Sequence, residues 1–159
     1  MFMFQFGQGG WQAASFTGAV GRILPAWLGL RTASDSAQVL VIDDEPSVAD
    51  ALRMILEDEG FAVVVAATGR EGLEQARRKT FGVTITDLRL PDMDGLEVIA
   101  FIRENCEGGA VILITSYSTP EICARARELG ASGVVSKPFL PSEIVGAVNA
   151  VLKKAEPES

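Results

Sequence analysis

The chain contains no histidine, only two cysteines and one tyrosine, and fewer basic than acidic residues, with Lys+Arg 14 against Asp+Glu 21. Without histidine there is no His-based triad, no imidazole general base and no ordinary catalytic zinc site. Cys106 and Cys123 are far apart and form no CxxC pair, so a reduced, cytoplasmic compartment is the default reading. The net charge of -7 and pI near 4.6 would repel a phosphate backbone, which argues against direct nucleic-acid binding. No unbroken apolar run approaches the ~20 residues that span a bilayer. What is present is 159 residues, 48% of them hydrophobic, enough for one domain with a real core and too few for a large multidomain enzyme.

The acidity is unevenly spread. Residues 1–37 carry only Arg22, Arg31 and Asp35 as charges, whereas the rest carries 12 basic and 20 acidic residues. The leader is rich in Phe, Gly and Trp and ends in the polar stretch Thr32-Ala-Ser-Asp-Ser-Ala37. Its arginines follow the apolar stretch rather than precede it, opposite to a secretory signal. Residues 1–37 are expected to form a weakly structured extension and linker. A membrane-surface or partner-docking role for them is the disfavoured alternative.

From Gln38 short apolar runs alternate with helical periodicity. Val39–Ile42 precedes a stripe of Val48, Leu52, Ile55 and Leu56, and the pattern recurs through Phe61–Val65, Val83–Thr86, Val111–Ile114 and Val134–Val135. Pro46, Pro120 and Pro141 sit where first-turn prolines belong, Thr68 and Glu71 have capping-box spacing, and Gly60 and Gly130 are placed to end helices. The runs are continuously apolar, which predicts strands buried on both faces in a parallel sheet with helices on either side. The expected fold is a doubly wound α/β domain, with its chemistry at the carboxyl ends of the strands.

Those strand ends carry Asp43-Asp44-Glu45, Asp87, Thr115-Ser116 and Lys137-Pro138. Alone, each has an ordinary reading: acidic residues at a helix N-terminus, a cap, a strand-end threonine, a solvated lysine. Together on one sheet edge, massed carboxylates call for a cation, and oxygen ligands without His or thiolate suit Mg²⁺. A metal there would leave Asp87 able to attack phosphorus, while Thr115 and Lys137 supply a hydroxyl and a cation for a transferring phosphoryl group.

The segments Val39-Leu-Val-Ile-Asp-Asp-Glu-Pro46, Thr86-Asp-Leu-Arg-Leu-Pro-Asp-Met-Asp-Gly95, Ile114-Thr-Ser116 and Ser136-Lys-Pro-Phe139 closely resemble the receiver domain of bacterial two-component response regulators. The resemblance covers residues 38–154 and leaves a short C-terminal tail, 155–159. It implies a five-stranded flavodoxin-like sheet in the order 2-1-3-4-5, counted from the strand at Val39. It also implies Asp87 as phosphoacceptor, with Mg²⁺ held by Asp44, Asp87 and the backbone carbonyl of Arg89, and by Asp43 through water. Thr115 would be the switch hydroxyl and Lys137 the phosphoryl partner; the Lys137–Pro138 bond is expected to be cis. Pro91 and Gly95 would shape the loop after Asp87.

One position departs from the family pattern. The usual aromatic three residues before the lysine is Val134 here, so the aromatic partner of the switch threonine is missing. Tyr117 either borders the pocket or is an ordinary exposed loop tyrosine, and Arg89 and Ser116 are placed to flank the same pocket. By the resemblance the phosphoryl group comes from a histidine kinase or phosphotransfer protein, and the readout face is the fourth helix, fifth strand and fifth helix, about residues 120–154. The expectation is a phosphoacceptor signalling protein, rather than an enzyme, that acts through protein contacts. The alternative is the receiver portion of a longer DNA-binding regulator or hybrid kinase. A pseudo-receiver or nucleotide-binding protein is disfavoured, since the Asp, Thr and Lys set is complete and no glycine-rich loop follows the first strand.

Overall fold

The structure, a computed structural model, describes residues 2–6, 10–14 and 37–155, with side chains from 37 to 154. Most of the expected linker and tail lie outside the described residues. The chain divides into two units, Met1–Ser36 and Ala37–Ser159. In the first, β1 (Phe2–Phe6) pairs antiparallel with β2 (Gly10–Ala14), Phe2 opposite Ala14 and Phe6 opposite Gly10. The sequence reading assigned no strand there.

The second unit alternates strand and helix throughout. It runs β3 (Gln38–Ile42), α1 (Pro46–Asp58), β4 (Ala62–Ala66), α2 (Gly69–Arg78), β5 (Val83–Asp87), α3 (Gly95–Asn105), β6 (Ala110–Thr115), α4 (Pro120–Glu128), β7 (Gly133–Ser136) and α5 (Pro141–Ala155). All five strands are parallel, in the order β4-β3-β5-β6-β7, which is 2-1-3-4-5 counted from β3.

Alternate residues of each strand enter two separate cores. Val39, Val41, Val83, Ile85, Ile112 and Ile114 pack against Leu52 and Leu56 of α1 and Ile144, Val148 and Val151 of α5. Leu40, Ile42, Val111 and Leu113 face Val98, Ile99 and Ile102 of α3, Ala126 of α4, and Leu73 and Ala76 of α2. Two covered faces are the physical reason for the unbroken apolar runs, since each fully buried Leu, Ile or Val contributes about 1.5–3 kcal/mol on either side.

The helix ends follow local chemistry. Pro46, Pro120 and Pro141 open α1, α4 and α5, and Gly60 and Gly130 adopt φ of 89° and 106° just past α1 and α4. Thr68 accepts from Glu71 N at 3.1 Å, but the Glu71 carboxylate returns to Ala67 N at 3.0 Å rather than to Thr68 N. The fully reciprocal capping box lies at Asp94 and Glu97, at the start of α3.

β4 and β5 flank β3 on opposite sides, so the connections leaving β3 and β5 lead in opposite directions across the sheet, a reversal of strand order at their carboxyl ends. A crevice opens at that reversal, as doubly wound sheets require.

Candidate functional site

β3, β5, β6 and β7 deliver their terminal residues to this crevice. Asp43 and Asp44 follow β3, Asp87 ends β5, Thr115 ends β6, and Lys137 follows β7. One carboxylate oxygen from each of Asp43, Asp44 and Asp87 lies within 4.8 Å of the others, a spacing that could hold a metal ion. Asp43 and Asp87 are buried and Asp44 is exposed, so the group is open to solvent on one side.

Lys137 crosses this cluster. Its Nζ donates to Asp43 Oδ2 at 2.9 Å and lies 3.3 Å from Asp87 Oδ1 and 4.0 Å from Glu45 Oε1. Asp87 Oδ1 also accepts from Leu88 N at 2.9 Å, whereas its Oδ2 has no donor among the described residues. Burial pushes the Asp87 carboxyl above its usual range, with the nearby Asp43 charge adding to the rise, and the Lys137 ammonium only partly opposes them. For Lys137 burial acts to lower the pKa, but hydrogen bonding and attraction from Asp43, then Asp87, outweigh it and the net direction is upward. The site therefore holds more negative than positive charge, with Asp43 and Asp87 both poorly solvated.

Thr115 is fully buried; its Oγ1 accepts from Tyr117 N at 2.9 Å, and its carbonyl accepts from Lys137 N at 2.8 Å. A hydroxyl that accepts in this way keeps its own hydrogen to donate elsewhere. Tyr117 is half exposed, and the Arg89 guanidinium carbon sits 4.1 Å from its ring centroid. Asp44, Glu45, Asp87, Arg89, Thr115, Ser116, Tyr117 and Lys137 line one pocket of about 290 Å³. The Lys137–Pro138 peptide bond is cis.

The loop after Asp87 folds back tightly. Gly95 N donates to Leu88 O at 2.6 Å, and a side chain at Gly95 would strike the Asp87 carbonyl and come within 2.9 Å of Leu88 Cα. Only glycine permits that approach. Pro91 lies in the bend between these two anchor points.

Some site features escaped the sequence reading. Lys137 was assigned to a phosphoryl group, yet its nearest partner here is Asp43, 94 positions away. Asp92 was not singled out; its carboxylate accepts from Gly69 N and Arg70 N, both at 2.8 Å, and ties the loop to the start of α2. The acidic-to-Pro spacing of the loop carries no local signal for either contact.

The model of the response regulator receiver domain matches residues 39–149. The chain belongs to that family. It is 34% identical over 121 residues to the DNA-binding response regulator MtrA of Mycolicibacterium smegmatis, covering 76% of this chain and 53% of that protein. It superimposes on a CheY-like receiver of Methanospirillum hungatei with a TM-score of 0.72 at 29% identity, over 75% of this chain and 95% of that one. The chemotaxis response regulator CheY4 of Vibrio cholerae gives 0.69 at 32% identity, over 73% and 98%. The chain spans about half the length of the curated relatives it matches. Among the described residues of this receiver, no helix is long and apolar enough to cross a membrane.

Proposed function

We propose that this receiver accepts a phosphoryl group on Asp87 from a phosphohistidine of a partner kinase or phosphotransfer protein, and signals through protein contacts at α4, β7 and α5. The observation that carries the reading is the Lys137 ammonium set between two buried carboxylates, 2.9 Å from Asp43 and 3.3 Å from Asp87, beside an open carboxylate pocket. Asp87 Oδ2, free of protein donors among the described residues, is on this reading the attacking oxygen. As its bond to phosphorus forms, the bond from phosphorus to the donor nitrogen breaks and the donor imidazole departs. These 159 residues hold no histidine, so the donor imidazole lies outside them.

The donor set fits Mg²⁺: three carboxylate oxygens within 4.8 Å and one ammonium leave uncompensated negative charge on hard oxygen ligands. Asp44, Asp87 and the Arg89 carbonyl would hold it, with Asp43 acting through water. Bound there, the ion supplies the positive charge that the acceptor and the transferring oxygens need. On this reading Lys137 neutralises one phosphoryl oxygen, and the free hydrogen of Thr115 bonds another. Arg89 stacked on Tyr117 limits the path of water to the acyl phosphate and so sets its lifetime.

Incubation with Mg²⁺ and a small phosphodonor should label the wild type and not Asp87→Asn; retained labelling at another residue overturns the assignment. Tyr117→Ala and Arg89→Ala should change the rate of phosphate loss, and unchanged rates would remove both from the mechanism. A second reading, that the chain is the receiver portion of a DNA-binding regulator, rests on its span of about half of relatives described as DNA-binding or transcriptional regulators. Genomic sequence beyond the last codon distinguishes the two.

A further inference from the structure

β5 and β6 begin, at the end of the sheet opposite Asp87, beside a second cavity of about 240 Å³. The last turns of α2 and α3 and the turn before β6 enclose it. Arg77, Arg78 and Lys79 stand in succession along its lining, with Glu107 as the acidic member. None of the three cations pairs with a carboxylate among the described residues, where the ion pairs belong to Arg125 and Lys137. Two of them are instead held over aromatic faces: Arg77 Cζ lies 4.6 Å from the Phe101 ring centroid and Lys79 Nζ 5.2 Å from that of Phe81. A ring orients a cation without neutralising it.

Thr84 adds a directed hydroxyl. It is 4% exposed and lines the cavity. Two residues on, Thr86 spends its hydroxyl on the Asp87 carbonyl at 3.0 Å, whereas Thr84 has no side-chain partner among the described residues. No side-chain oxygen sealed from solvent is left unpartnered among those residues, so the Thr84 hydroxyl opens on the cavity.

We propose that this cavity binds a small phosphate monoester. Three cations against one carboxylate and the negative C-terminal ends of α2 and α3 leave net positive charge for a phosphoryl group, Thr84 donates to a phosphoryl oxygen, and Phe81 and Ile102 offer apolar surface to a short carbon skeleton. The site is separate from the phosphoacceptor pocket and does not rest on the function proposed for it.

Amide NMR spectra of the full chain without Mg²⁺, titrated with glycerol 3-phosphate, inorganic phosphate and glycerol, test the proposal. Glycerol 3-phosphate should give saturable shifts at Phe81, Thr84, Gly108 and Gly109, at lower concentration than inorganic phosphate, and glycerol should give none. Thr84→Val and the exposed Lys79→Ala should each weaken binding about fivefold, the scale of one charge or hydrogen bond near the surface. Non-saturating shifts, saturable shifts indifferent to both substitutions, or shifts confined to Thr115–Tyr117 and Lys137 would overturn the site. Equal affinity for inorganic phosphate and glycerol 3-phosphate would overturn the monoester assignment.

Discussion

Lys137 separates charges that otherwise repel. Asp43 has a fully buried side chain, and the Lys137 and Asp87 side chains are each 10% exposed, so these interactions are weakly screened. Replacing Lys137 by Met leaves two carboxylates facing each other and should cost about 3 kcal/mol in the metal-free protein, measured by urea unfolding, with partial recovery in Asp43→Asn/Lys137→Met. The raised pKa of Lys137 means that its contribution is complete below the ordinary lysine value and is lost only as the pH climbs through the higher folded one. Asp87 has the opposite consequence. Its carboxyl is pushed up by burial, so ionisation opposes folding: stability is greatest while the group is protonated and falls as pH rises through the folded pKa. At neutral pH, Asp87→Asn should therefore stabilise the metal-free protein by about 1 kcal/mol, roughly 4 °C in Tm. Added Mg²⁺ should stabilise the wild type more than the variant. A less stable metal-free Asp87→Asn would show that its hydrogen bond from Leu88 and its attraction to Lys137 outweigh desolvation.

The loop between β5 and α3 is fixed to α2 by one side chain. Asp92 supplies two 2.8 Å bonds to the first amides of α2, where the helix dipole also favours negative charge. Those bonds, first that from Arg70 N, hold its carboxyl below the ordinary Asp range. Asp92→Ala should lower stability by about 1 kcal/mol, the typical value of a lost cap. Because the folded pKa is depressed, the difference between wild type and variant is present above the unfolded value near ~4 and shrinks as pH falls through the folded one. A pH-independent difference would assign the loss to packing of Met93 against Gly69 instead.

This clamp also shows what can be read from sequence at the level of elements. Strands were legible because both faces are buried, which leaves runs such as Val111–Ile114 with no polar interruption. Pro46, Pro120 and Pro141 marked helix starts by a constraint inside the residue itself. Asp87, Thr115 and Lys137 were legible because a parallel sheet sends successive strand ends to one edge. Asp92 was not, since the amides it caps lie 22 and 23 positions earlier. The pairing of Phe2–Phe6 with Gly10–Ala14 was also missed. Neither segment holds a β-branched residue of the kind that fills the other strands.

At the scale of the whole receiver, the proposed phosphorylation of Asp87 would have to alter a surface some distance away, by a route that would start at Thr115. Its hydroxyl now accepts from Tyr117 N, and Ser118, one residue further, bonds Ser136 of β7 at 2.6 Å. A phosphoryl oxygen that drew Thr115 inward would pull on the β6–α4 loop and, through Ser118, on β7. Val134 stands where an aromatic ring would turn, so on this proposal the change would pass through backbone and these serines rather than a ring rotation. Beryllofluoride with Mg²⁺, a phosphoryl mimic, should shift amide resonances along α4, β7 and α5 in the wild type. Thr115→Val should bind the mimic yet leave α5 close to its unbound spectrum, because a ligand biases an equilibrium only through contacts that differ between its two states. Ser136→Ala should weaken the coupling without removing it, shifting β7 less than α4. If α5 responds fully in Thr115→Val, the signal leaves the pocket through Lys137 and the segment that leads from β7 into α5 instead.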